Sequence, residues 1–263
     1  MLSFEVLLSA MNLKDYKYID SLNIKSDCVV VNQCNTDGKL EIQDAGRNIK
    51  FISSKERGLS RSRNMAIANA QSDICMLCDN DVEYVDNYKE IVISAFEKNP
   101  EADLIVFFIK RKERQAPFLS KEKYLNYISS CKVFSPEIAF RKTSIEKSGV
   151  KFKEHFGAGS LYSMGEENIF LFDCLKKNLK IKYIPVQIAE LREEESTWFK
   201  GYNEKFFRDF GAIYYEMSQT LSSLFIIQFV IRKYKLYKHE MTMFNALKYM
   251  FVGKQEYKKK YYS

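Results

Sequence analysis

The chain is short of the residues that interrupt structure. Ten glycines and four prolines in 263 residues leave little material for a linker or a disordered tail, and no internal repeat is visible. Complete zinc motifs are missing as well. Of six cysteines (Cys28, Cys34, Cys75, Cys78, Cys131, Cys174), Cys75 and Cys78 form one C-x-x-C, with no second such pair and no Cys/His pair beside it. They read as free thiols in apolar stretches. The opening M-L-S-F-E-V-L-L-S-A lacks a basic n-region and is too short for a signal peptide, so a reduced, cytoplasmic setting is expected. Nor is there an unbroken apolar run of the about 20 residues that a membrane span requires. The nearest approach, 210–231, carries one charge, Glu216, but is broken by Ser218, Gln219, Thr220, Ser222, Ser223 and Gln228.

What is present is aromatic and basic. The chain has 20 Phe and 17 Tyr, and a formal charge of +7 concentrated in the lysine-rich C-terminal third. Such an excess favours an anionic partner: a nucleotide, a membrane surface or nucleic acid. The length suits one large domain, or a catalytic domain with a helical tail.

The stretch Ile74–Glu83, I-C-M-L-C-D-N-D-V-E, organises the rest. Its apolar part suits a strand buried on both faces of a parallel sheet, and Asp79, Asn80 and Asp81 then fall at the strand's C-terminal end, where open α/β sheets bind ligands. Two carboxylates two residues apart can hold a hard divalent cation against a diphosphate. Strands are also expected at 4–10, 28–31, 49–53, 104–109, 137–140 and 181–188. Helices are expected at 60–70 with Ser60 as N-cap, 86–98 capped by Asp86 or Asn87, 143–148 and 165–177. Residues 155–160 read as a flexible loop. The alternation of strand, loop and helix predicts a doubly wound nucleotide-binding sheet, with its polar loops (9–12, 32–38, 55–63, 79–81) meeting along one edge.

Three segments together, E-R-G-L-S-R-S-R-N at 56–64, C-D-N-D at 78–81 and G-E-E-N at 165–168, resemble family 2 glycosyltransferases of the GT-A fold, bacterial surface-polysaccharide enzymes in particular. The resemblance covers about residues 1–200. It implies an α/β fold, a single Rossmann-like mixed sheet flanked by helices, in a catalytic domain over 1–200 with a C-terminal helical region over 201–263. It further implies donor contacts from Ser9, Ala10, Met11, Gln33, Asn35, Asp37, Arg57, Arg63, Asp79 and Asn80, with Arg63 as the arginine near the nucleotide. Mn²⁺ or Mg²⁺ would sit on Asp81, with Asp79 on the metal or the ribose. Glu167 would be the base that activates the acceptor hydroxyl, Glu166 its support or alternative. Against these roles stand plainer ones. Glu166 and Glu167 suit a helix dipole, and the arginines, Arg61 first, suit a solvated helix face.

Two departures from the family pattern stand out. Asn32 and Gln33 replace the aspartates that usually open the second loop. His155 and His239 are the only histidines, neither at the late metal position, which leaves Glu190, Glu193, Glu194, Glu195 or water as substitutes. Trp198 could stack on an acceptor sugar or pack between domain and tail.

The expected activity is inverting, metal-dependent transfer of a hexose from a UDP-sugar to a lipid-linked saccharide in surface polysaccharide synthesis. It would take place at the inner face of the cell membrane, with no nucleic acid involved and self-association left open. The C-terminal helical region, with its Phe, Tyr and flanking lysines, suits a helix lying on an anionic bilayer, a helix packed on its own domain, or a dimer contact. A sugar-nucleotide nucleotidyltransferase is a second reading, but the glycine-rich, lysine-containing loop that it wants after the first strand is missing. A third, a non-catalytic basic module, leaves the acids at the strand ends without a use.

Overall fold

The computed structural model describes residues 2–192, 199 and 201–262. The chain begins with β1 (Phe4–Met11), α1 (Tyr18–Ser21), β2 (Asp27–Gln33), β3 (Gly38–Asp44), β4 (Arg47–Ser54), α2 (Leu59–Asn69), β5 (Ile74–Asp79), β6 (Val82–Tyr84) and α3 (Tyr88–Lys98). It continues through β7 (Leu104–Lys110), β8 (Lys123–Tyr124), α4 (Tyr127–Ser130), β9 (Ile138–Arg141), α5 (Lys142–Ser148), α6 (Glu166–Lys176) and β10 (Ile181–Leu191). The C-terminal helices are α7 (Glu204–Met217), α8 (Ser222–Arg232), α9 (Tyr234–Tyr237) and α10 (Met243–Tyr261).

The strands form one mixed sheet in the order β3-β4-β2-β1-β5-β9-β7-β10-β6, with β8 pairing β10. β4, β2, β1 and β5 are mutually parallel, so their C-terminal ends share an edge. The register sets Ser9 beside Asp79 and Ala10 beside Asn32 on that edge. β9 runs antiparallel to both β5 and β7, which returns β7 and β10 to the direction of β5. β5 is buried along Ile74–Cys78, because the sheet is covered on both faces. Val6, Leu8, Met76 and Phe96 belong to one core layer, and Leu7, Leu77, Phe152 and Phe170 to the other.

Several expected boundaries shift. Gly58, with φ +115°, is the N-cap residue of α2; Ser60 lies inside the helix and donates its hydroxyl to Phe156 O (2.7 Å). Asn87 occupies the N-cap position of α3 without a capping hydrogen bond, and Asp86 instead accepts from Lys25 Nζ (2.5 Å). The helical stretch over 210–231 is split, since Ser218 is extended and ends α7. Residues 155–160, expected to be flexible, are fixed by backbone bonds from Gly157 N to Tyr162 O (2.9 Å) and from Leu59 N to Ala158 O (2.9 Å).

α7 and α10 cross at glycines. A Cβ on Gly211 would lie 1.9 Å from Met250 O, and one on Gly253 2.1 Å from Arg208 O. Backbone contact this close admits no side chain. The helices dock on the sheet domain through Ala212 and Ile213, which share a cluster with Phe156 and Phe172.

Candidate active site

The shared edge of β1, β2 and β5 faces α2, and α2 carries the residue that assembles the site. Arg63 is 1 % exposed. Its Nη1 donates to Glu166 Oε1 (2.8 Å), and its Nη2 donates to both oxygens of Asp79 (2.9 and 3.2 Å). The guanidinium also lies over the Phe152 ring, 5.4 Å from its centroid. Burial pulls this group toward losing its proton, but Asp79 and Glu166 outweigh that and hold its pKa above the ordinary arginine value. In the structure Arg63, the arginine expected near the nucleotide, bridges Asp79 and Glu166. Both ends of the guanidinium are engaged by carboxylates, and solvent does not reach it.

α6 begins at Gly165, whose φ of +85° and close neighbour Ile213 (2.7 Å from a built Cβ) exclude other residues. Its first turn presents Glu166 and Glu167. Gly157, φ +102°, lies against the Glu166 carboxylate, where a Cβ would come within 3.1 Å. Glu166 is thus a structural partner of Arg63 and more than a dipole-compensating acid. Glu167 is partly buried and is not engaged by Arg63. Burial, followed by the charge on Glu166, pushes its carboxyl up to about 8. A carboxylate poised near neutrality can take a proton from a hydroxyl.

The donor-side residues are mostly engaged in shaping their own loops. Ser9 is buried and accepts from Ser62 Oγ (2.8 Å). Gln33 Oε1 accepts from Gly58 N (2.8 Å), which seats the start of α2 on β2. Asn32 pairs with both backbone groups of Leu13 (2.9 and 3.0 Å). The Arg57 guanidinium gathers the carbonyls of Cys34 (2.9 Å) and Lys55 (2.8 Å), and donates to Asn35 Oδ1 (2.9 Å). Asp37 accepts from Lys55 N (2.8 Å), and Asn80 O accepts from the Tyr18 hydroxyl (2.9 Å). Ala10 is buried and Met11 is 53 % exposed at the rim. Arg61 is exposed and pairs with Glu154 (3.1 Å), in keeping with a solvated face.

Asp79 and Asp81 bracket the turn between β5 and β6, and the Asp79 side chain keeps 19 % of its surface exposed. Among the described residues no group of three or more His, Cys, Asp or Glu side chains converges into a cage. The donor set fits a hard cation shared with a diphosphate and water rather than one enclosed by protein. Glu190 is engaged by Lys110 (2.9 Å) and Gln187 (3.1 Å). Glu193, Glu194, Glu195 and Trp198 lie outside the described residues.

Asn64, Ser160 and Asn168 were given no role from the sequence, although Asn64 and Asn168 close the 56–64 and 165–168 segments. Asn64 clamps the Phe152 backbone from both sides, donating to its carbonyl (2.8 Å) and accepting from its N–H (2.9 Å). Ser160 Oγ and Asn168 Nδ2 are buried without a hydrogen-bond partner among the described residues. Ser160 sits against Gly58, and Asn168 follows Glu167 in the first turn of α6.

The family model Glycosyl transferase family 2 matches residues 17–163, more than half of the chain. The chain belongs to glycosyl transferase family 2. The match runs through α2 and Asp79–Asp81 and stops just before Gly165, so Arg63 ties the matched segment to Glu166 of α6. No curated protein matches the sequence. Among solved structures, S. aureus TarS 1–349 is similar at a TM-score of 0.62 and 15% identity, over 91% of this chain and 74% of that one. The same TarS fragment in complex with UDP-GlcNAc gives 0.63 at 17%, and in complex with UDP 0.63 at 16%, with the same coverage. At such identity the likeness establishes the fold that this glycosyltransferase shares with them.

Proposed function

We propose that this family 2 glycosyltransferase transfers a hexose from a UDP-sugar to a saccharide acceptor with inversion at the anomeric carbon. The observation that carries the reading is the Asp79–Arg63–Glu166 bridge, which fixes the end of β5 against the start of α6. One side of the bridge then serves the donor and the other the acceptor. The solved neighbour that binds UDP-GlcNAc supports a uridine nucleotide donor by analogy of fold.

In this mechanism Gln33, Asn35 and Arg57 hold the loops around the base and ribose in shape, and Asp37 and Asn80 line the same edge. Asp81, with Asp79, would hold Mn²⁺ or Mg²⁺, which supplies Lewis-acid neutralisation of the departing diphosphate when bound. Glu167 takes the acceptor proton as the hydroxyl attacks from the face opposite the nucleotide. Glu166 stays paired to Arg63, and its charge keeps Glu167 basic enough to accept that proton. Arg63 is a positioning residue, since it meets the two carboxylates rather than the substrate.

The acceptor belongs to surface polysaccharide synthesis and is carried on lipid, which places the enzyme at the inner face of the cell membrane. Trp198 is assigned to the acceptor sugar. The reaction is tested by UDP release from a panel of UDP-sugars with Mn²⁺ and again with EDTA. Metal-dependent release that Glu167→Gln abolishes while UDP still binds supports the proposal. Turnover of the Glu167→Gln protein near the wild-type rate would remove Glu167 as the base.

A further inference from the structure

α8 is apolar on two sides, and the rest of the protein covers one of them. Ile226 and Val230 are buried in a cluster with Phe206, Phe207 and Met250. Steps of three and four residues place Leu224, Ile227 and Ile231 on a second stripe, and these are 61 %, 45 % and 60 % exposed. Leu236 and Phe244, on the segments that follow, are more than half exposed as well. A row of large apolar side chains on one helix differs from the scattered exposed leucines of an ordinary surface. The ionic surroundings are one-sided. Arg232, Lys233, Lys235 and Lys238 are all exposed. Over 221–248 the only acid is Glu240, and its carboxylate accepts from the backbone N–H of Tyr202 (2.7 Å).

We propose that this face docks on an anionic bilayer surface. Leu224, Ile227 and Ile231 enter the boundary between headgroups and acyl chains, while Arg232, Lys233, Lys235 and Lys238 meet lipid phosphates. Charge complementarity selects lipid over a second copy of the chain. A two-fold contact through this stripe would bring like cations of both copies together as water leaves, whereas a phosphate surface neutralises them. Geometry selects lying over crossing. α8 has 11 residues, about 16 Å at the helical rise, against a hydrocarbon core of about 30 Å. No helix of the described residues is long and apolar enough to cross a membrane.

The surface deepens the membrane placement of the acceptor proposed above, and it is tested by vesicle binding and light scattering rather than by turnover, so its failure leaves the transfer reaction standing. The full chain is sedimented with vesicles of phosphatidylcholine, and with vesicles containing added phosphatidylglycerol. Strong binding to the mixed vesicles only, weakened by salt, is expected. Lys233→Glu with Lys235→Glu should lower that binding roughly tenfold or more. Leu224→Ser with Ile231→Ser should abolish it, with the thermal midpoint unchanged because both side chains already face solvent. Equal binding to the two vesicle types overturns the proposal, as does wild-type binding by the Leu224/Ile231 variant. Light scattering that shows a dimer lost in that variant would overturn it in favour of an interface between copies.

Discussion

Replacing Arg63 by methionine tests the central bridge. Methionine matches much of the buried stem but leaves Asp79 and Glu166 facing each other with no cation between them. The wild-type side chain makes three hydrogen bonds to those carboxylates at 2.8–3.2 Å. Removing one member of a buried ion pair while its partner stays costs about 3–5 kcal/mol. Asp79 is partly exposed, so water recovers some of its solvation, and the lower half of that range is expected. With about 2–4 °C per kcal/mol for domains of this size, the thermal midpoint should fall by about 10 °C at pH 8. The defect should shrink in acid, because protonated carboxyls no longer repel one another. Arg63→Lys should be intermediate, since an ammonium restores charge but cannot fork onto two partners. Chemical denaturation at pH 8 and pH 5 measures each variant. A loss below about 1 kcal/mol at pH 8, or a defect that grows in acid, would refute the bridge as the organiser of the site.

Three further outcomes follow from the same geometry. Glu167 keeps its proton to about 8 in the folded chain against an ordinary value of 4.5, so the folded state binds more protons between these limits. Stability should therefore fall as pH rises across that window and flatten in Glu167→Gln, read by urea denaturation at intervals of pH; transfer by the wild type should climb toward pH 8 over the same range. Asp81→Ala should weaken metal-dependent UDP binding by calorimetry while leaving the midpoint near wild type, in contrast to Arg63→Met. Gly211→Ala or Gly253→Ala should destabilise by about 1–3 kcal/mol or more, because the new Cβ meets backbone rather than a movable side chain; an unchanged thermal midpoint would show that α7 and α10 do not pack this closely.

The parts of the fold that were legible in the sequence are those with a buried face. Ile74–Cys78 is apolar because both sides of β5 are covered, and its end at Asp79 could be placed from that alone. β3 left no such trace. Gly38–Asp44 is an edge strand with Leu40 62 % exposed, so its hydrophobic pattern has nothing to record. Its turn, Ala45 and Gly46 with φ of +49° and +77°, hides one of its two left-handed positions under an alanine. The site was readable as an inventory of residue types and unreadable as a set of contacts. Arg63, Asp79 and Glu166 could each be picked out, but their partners lie 16 and 103 positions away from Arg63 in sequence. Local spacing therefore allowed Arg63 to face phosphate as readily as protein. Gln33 shows the same limit: nothing local in the sequence announces that its amide oxygen accepts from the N–H of Gly58, 25 positions away.

The bridge also explains why two adjacent acids can play different parts. Glu166 and Glu167 share a helix turn, so their chemistry must be separated by what they face. Arg63 takes Glu166 as its partner, because the guanidinium is itself buried and needs one. Glu167 receives the repulsion of that fixed charge and no compensating hydrogen bond from Arg63. One arginine thus produces a structural carboxylate and a basic one from neighbouring positions, and it sets the second in the same frame as Asp79 on β5. Exchanging Glu166 for glutamine tests this division without touching Glu167. It removes the negative charge nearest Glu167, so the carboxyl should lose its proton at lower pH and the rise of transfer rate should move to lower pH. A profile unmoved by Glu166→Gln would mean that burial alone sets Glu167, and that Arg63 serves the fold and not the base.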